Sequence, residues 1–195
     1  MPLNDTSVQL GAIAHFLLAP ANTEPPTWAE IQAFDPSSSP AVGIDGWIDI
    51  GHTSIDNDVT PIYEGGESTV RGSRQRSNLR EQTTPVVEGI TLNLLQLDQE
   101  SVFLFEGGGS VDVEGVFIIP RSAQSVERAL TTVYMDGVQR AGEYRSRVSA
   151  RKNGGVERAS ANFLEFPTRF TFLSGEQPDH WYGAGFTVPE PAPSP

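Results

Sequence analysis

Four arginines fall in the stretch RGSRQRSNLR at 71–80, and the 70 residues before them hold neither Lys nor Arg. Arg71, Arg74, Arg76 and Arg80 carry planar guanidinium groups that can grip a carboxylate or phosphate through two parallel N–H donors. Glu67 and Glu81 flank the cluster. What such a cluster meets is the question the rest of the chain must answer; the plainest answer is a solvated loop whose charge serves solubility alone. Duplex DNA is a poor match. The chain carries a formal net charge of −12, and sequence-independent DNA affinity comes from Lys and Arg displacing phosphate counterions. The acidity is uneven, with net charge −9 over residues 1–64, −4 over 65–120 and +1 over 121–195.

Other chemistries find little support. His15, His52 and His180 are far apart, with no HxH or HxxxH spacing to bring two imidazoles to one metal, and there is no Cys, so thiolate ligands, disulfides and Cys nucleophiles are excluded. No GxSxG turn exposes a serine. Ser54 lies two residues after His52, a pair that reads as polar loop chemistry. The glycine pairs lack the GK[ST] of a phosphate-cradling loop. Asp56 with Asp58, and Asp112 with Glu114, are carboxylates two apart; alternation on a solvated strand face produces such pairs without acid–base work. No catalytic residue, metal ligand or cofactor site is expected.

The elements that position these groups alternate at a period of two. Residues 8–18 read as a strand buried on both faces towards its end. TWAEIQAF at 27–34 reads as a short helix capped by Thr27, and PSSSP at 36–40 as a loop. IDGWIDI at 44–50 reads as a strand with Ile44, Ile48 and Ile50 on one face and Asp45, Trp47 and Asp49 on the other. Residues 59–63 continue the sheet, and EGGE at 64–67 ends it. Residues 64–84 show no apolar periodicity and are long for a connection, which marks the segment as functional or mobile. Ile90, Leu92 and Leu94 share a strand face, and Asp98 opens 99–105, a short helix or a strand, before Gly107. VDVEGVFII at 111–119 reads as one strand with Asp112 and Glu114 on its polar side. Asp136-Gly137 predicts a hairpin leading to Tyr144, Ser146, Val148 and Ala150 on one face, Asn153-Gly154 a second turn, and 163–173 a last strand with Leu164, Phe166, Phe170 and Phe172 in register against Glu165, Arg169 and Thr171. About eight short strands and one or two short helices predict an all-β fold, a β-sandwich or partly closed barrel, over 1–188, with a Pro-rich tail at 189–195. No basic start with an apolar run opens the chain and no stretch is long enough to cross a bilayer, so no export or membrane is expected.

The order of FLLAPANTEPP, WIDIGHTS, EGGES with its basic loop, LLQLDQESVFLFEGGG, ALTTVYMDG and FPTRFTFLSG resembles the major tail, or tail tube, protein of long non-contractile-tailed bacteriophages, those of actinobacteria above all. The resemblance covers about residues 8–175. It implies a structural subunit that self-assembles into stacked hexameric rings around a channel for the genome. It further implies residence in the phage tail after a stay in the host cytoplasm, and contact with tail tip, tape measure and terminator proteins. DNA would pass through without specific binding. The family's long inter-ring loop falls at 64–84, so Glu67, Arg71, Arg74, Arg76, Arg80 and Glu81 become candidates for contact with the next ring. Asp45, Asp49, Asp112 and Glu114 become candidates for the channel wall or, equally, ordinary outer-surface acids. The alternative is a β-sandwich binding module, with Trp28, Trp47 and Trp181 as a carbohydrate platform.

Overall fold

The computed structural model describes residues 13–57, 59–156, 158 and 163–186. Its elements, in chain order, are β1 (Ile13–Pro20), α1 (Trp28–Ala33), β2 (Ile48–Asp49), β3 (Thr60–Glu64), β4 (Ser68–Arg71), β5 (Arg80–Thr83), β6 (Val87–Leu94), α2 (Gln99–Glu106), β7 (Ser110–Val111), β8 (Phe117–Ile118), β9 (Val126–Asp136), β10 (Gln139–Lys152), β11 (Phe166–Phe172) and β12 (His180–Gly183). The fold is all-β with two short helices, as the alternation predicts. It divides into two compact units. One takes the chain to Gly51, Glu127–Val148 and the residues from Ser174, and the other takes His52–Val126 and Ser149–Leu173.

In the first unit the strands run β2-β1-β9-β10, with β12 on the far side of β10. β1 lies antiparallel to β9 from Ile13 opposite Met135 to Pro20 opposite Arg128. Phe16, Leu17, Leu18 and Ala19 are all buried, so β1 is covered on both faces as its apolar run requires. α1 forms because Thr27 closes a capping box: its hydroxyl accepts from the Glu30 N–H at 3.3 Å, and the Glu30 carboxylate accepts from the Thr27 N–H at 2.7 Å. The helix sends Ile31 into a core with Leu17, Phe34, Ile44 and Val133. A two-residue turn at Gly137-Val138, with Gly137 at φ 58°, returns β9 into β10. On β10 the predicted parity holds, with Tyr144, Ser146, Val148 and Ala150 buried. The Tyr144 hydroxyl donates to the Thr23 carbonyl at 2.6 Å, and burial raises its pKa.

In the second unit β6 is the centre of a β11-β6-β3 set, with Phe166 opposite Leu94 and Glu64 opposite Val87. A side chain at Gly89 would meet the Phe170 carbonyl at 2.3 Å, so the close approach of β11 requires glycine there. Residues 99–106 are helical rather than extended because both ends are capped. The Asp98 carboxylate accepts from the Ser101 N–H at 2.8 Å, and Gly107, at φ 71°, lets its own N–H and that of Gly108 return to the Phe103 carbonyl. α2 buries Leu104 and Phe105, the latter edge-on to Phe166 at 5.4 Å.

Four readings from alternation fail. Residues 44–50 are not one strand: Asp45 and Gly46 form a turn with Gly46 at φ 75°, β2 keeps two residues, and Ile48 is exposed while Ile44 and Ile50 are buried. Residues 111–119 are a tight hairpin, β7–β8, whose turn is closed by Asp112 and by Gly115 at φ 80°. Residues 64–84 are not structureless, since β4 and β5 pair within them. Glu165 is buried, accepting from the Ser54 hydroxyl at 2.8 Å and the Asn57 side-chain amide at 2.7 Å, while Leu164 is exposed. The described residues also hold more strands than the eight expected, β12 among those missed. The 8–12 part of the first predicted strand and the 189–195 tail lie outside the described residues.

Two predictions follow from the packing and the pairing. Phe105→Ala is expected to cost about 3–5 kcal/mol and Asp98→Ala about 1 kcal/mol in urea unfolding of the free chain. Arg147 forks onto Glu127 at 3.0 and 2.7 Å and Arg169 onto Glu64 at 3.1 Å, and these hydrogen bonds, with the guanidinium charge, hold both carboxyls below their ordinary value of 4.5. A lowered folded pKa gives stability that is present above the ordinary value and lost as pH falls through the lowered one. Thermal midpoints are therefore expected to fall below about pH 4.5, with a shallower acid limb in Glu64→Gln/Glu127→Gln.

Candidate assembly interface

The β3–β6 ladder ends at Glu64 opposite Val87 and, after a break, resumes as the β4–β5 ribbon. Gly65 and Gly66 make the break, at φ 88° and 73°, and a Cβ at Gly65 would lie 2.2 Å from the Pro85 carbonyl. Beyond it the Glu67 carbonyl accepts from the Thr84 N–H at 3.0 Å and the Glu67 N–H donates to the Thr84 hydroxyl at 3.1 Å, fastening the base. The ribbon then runs Ser68 opposite Thr83 to Arg71 opposite Arg80. Its tip is shaped by Ser73, whose N–H donates to the Arg76 carbonyl at 2.7 Å and whose hydroxyl accepts from the Gln75 and Arg76 N–H groups. Every residue from Glu67 to Glu88 is exposed.

This geometry gathers all six predicted contact residues on one projecting ribbon, Glu67 at the base, Arg74 and Arg76 at the tip. Glu81 accepts a hydrogen bond from the Ser68 hydroxyl. Arg71 and Arg80 face each other directly, a like-charge cross-strand pair that destabilises a sheet. Among the described residues none of the four guanidiniums meets a carboxylate, whereas Arg145, Arg147, Lys152 and Arg169 each have an acidic partner. An isolated two-stranded ribbon is marginal in water, and this one also works against its own charge.

The acids expected on the channel wall are scattered. Asp45 sits in an exposed turn. Asp49 is engaged, taking the His15 Nδ1 at 2.7 Å and the Gly51 N–H at 2.9 Å. Asp112 accepts from the Glu114 and Val116 N–H groups at 2.9 Å, so Asp112 and Glu114 belong to a hairpin tip and not to a strand's polar face. The aromatic platform is dismantled. Trp28 stacks on Tyr182 at 6.5 Å and Trp47 lies edge-on to Tyr144 at 6.0 Å, both against the first unit's core, which leaves Trp181 exposed alone. Tyr182 donates to the Pro26 carbonyl, and burial pushes its phenol up to about 12. Among the described residues no group of three acidic or imidazole side chains is placed to hold a metal, and no helix is long and apolar enough to cross a membrane.

The family model for phage tail tube proteins matches residues 1–190. The chain belongs to the phage tail tube protein family. Major tail protein Gp23 of Mycobacterium phage L5 is 33% identical over 97% of this chain and 98% of its own length. Major tail protein Gp23 of Mycobacterium phage D29 is 34% identical over 90% of this chain and 89% of its own. The tail tube protein is thus a structural component of the virion tail, one that assembles with itself and with other tail parts.

Because Arg71 opposes Arg80, Arg71→Thr is expected to steady the ribbon in the free subunit by about 0.2–1 kcal/mol. Limited chymotrypsin cleavage at Leu79 is expected to slow by about 1.5- to 5-fold, since cleavage of a locally opened segment tracks its open population.

Proposed function

We propose that the chain builds hexameric rings that stack into a hollow tube, and that the β4–β5 ribbon docks on the next ring through Arg71, Arg74, Arg76 and Arg80, with Glu67 and Glu81 at its flanks. The observation that carries this reading is the Arg71–Arg80 opposition on an exposed ribbon: carboxylates of an adjoining subunit relieve the repulsion and satisfy the donors together. Each exposed pair is worth about 0.2–1 kcal/mol, and repetition around a ring makes the set matter. The rest of the chain frames that role. One tube-forming body spans 1–188, with 189–195 as a Pro-rich tail. The subunit has no catalytic role and takes no cofactor, and its further partners are tail tip, tape measure and terminator proteins. Of the four acids expected at the bore, Asp45 and Glu114 suit the wall best, because neither carboxylate has a hydrogen bond among the described residues. A repeated carboxylate there lets DNA slide without binding.

Arg74→Glu/Arg76→Glu leaves the body of the fold untouched. In negative-stain images it is expected to give short stacks or single rings where the unaltered chain gives long tubes. Tubes of unchanged yield and length would reject the docking role.

A further inference from the structure

A second projection leaves the second unit at the C-terminal end of α2. Its neck is the hydrogen bond from the Gln124 N–H to the Gly107 carbonyl at 3.0 Å, with Phe117 packed over Gly109 so closely that a Cβ there would meet its ring at 2.5 Å. Beyond the neck Val111, Val113, Val116, Ile118 and Ile119 are all exposed, Val113 completely. Five aliphatic side chains on so short a hairpin form the kind of apolar patch that marks a contact surface. The tip is already ordered, because Asp112 accepts two N–H groups across its own turn, so little conformational freedom is lost on docking. Its charge is acidic, from Asp112 and Glu114.

Among the described residues two clefts of this unit can be compared as receivers of such a tip, and charge separates them. One, of about 170 Å³, is lined by Ile55 and Phe163 together with Asp56 and Glu165, and its carboxylates repel an acidic hairpin. The other, of about 340 Å³, is lined by Phe105 and Ala123 with Arg151 and Lys152, and by Gly107 and Gln124 of the hairpin's own neck. There Lys152 is held by Glu106 at 3.2 Å and lies 4.3 Å from the Phe105 ring centroid. The Arg151 side chain is exposed and makes no hydrogen bond or ion pair among the described residues, although Glu64 feels its charge. An aliphatic tip bearing carboxylates and an aromatic cleft bearing cations are complementary.

We propose that the β7–β8 hairpin of one copy plugs into the Phe105–Arg151 cleft of the next copy in the same ring, with Glu114 paired to Arg151. Knob and cleft adjoin at the Gly107–Gln124 neck but present different residues, and a knob seated in the next copy's cleft makes a head-to-tail contact that repeats until a ring closes. The inference rests on the self-assembly reading, and it assigns lateral contact to this hairpin as distinct from stacking by the β4–β5 ribbon.

Charge exchange tests it. Glu114→Lys and Arg151→Glu, each with an unfolding midpoint like that of the unaltered chain, are expected to raise the concentration needed for rings about tenfold or more, leaving monomers in gel filtration. Glu114→Lys/Arg151→Glu is expected to restore rings. Single variants that form rings normally, or a combined variant that stays monomeric, overturn the plug while leaving the tube reading intact; an unaltered chain that never assembles removes both. Since the chain has no Cys, Val113→Cys/Ala123→Cys gives a second readout. Oxidation of its assemblies should yield a ladder of covalent multimers, and uncrosslinked monomers alone would overturn the contact.

Discussion

Arg71 and Arg80 stand opposite each other across a ribbon that no core supports, and the arrangement is unfavourable for as long as the chain is alone. Natural sequences tend to agree with their own fold at every level, so a local conflict of this kind points to something outside the chain. The proposed docking supplies that partner from an adjoining copy, since the chain is acidic as a whole. Net charge −12 supplies abundant carboxylates, and the four basic residues of the first 120 positions all fall on this ribbon. On the docking proposed above, self-assembly would resolve a strain built into the free subunit.

The remainder of the structure holds that ribbon out and keeps it separate from the body. β3 and β6 hand their pairing to β4 and β5 through Gly65 and Gly66, whose left-handed backbone a side-chain-bearing residue would resist. β6 is anchored in turn by β11 and by the buried Leu92 and Leu94. The β7–β8 hairpin shows the same design with different chemistry, aliphatic and acidic where the ribbon is cationic. A subunit with two unlike projections offers two unlike surfaces, which is the basis of the two contacts proposed above.

Much of this was legible from residue order. Thr27 and Asp98 announced their helices because capping is a local hydrogen-bond pattern, and Asp136-Gly137 announced its hairpin because turn geometry selects those residues. The cluster at 71–80 was visible as composition. What alternation could not show was where a strand stops. Gly46 and Gly115 turn the chain inside runs that alternate as well as any strand, which moved Asp45, Asp112 and Glu114 onto turns. Nor could parity foresee Glu165, buried because Ser54 and Asn57, more than a hundred residues away, satisfy both its oxygens. The cross-strand register that sets Arg71 against Arg80 is likewise a pairing fact, invisible until the ribbon is seen.

Hydrogen exchange at the β4 and β5 amides, compared between free subunits and assembled tubes, addresses the central claim most directly. If the ribbon is a strained element completed by a neighbour, these amides exchange rapidly in the free subunit and become strongly protected in the tube. Equal exchange in both states would contradict the account, for it would mean that the guanidiniums stay in solvent after assembly.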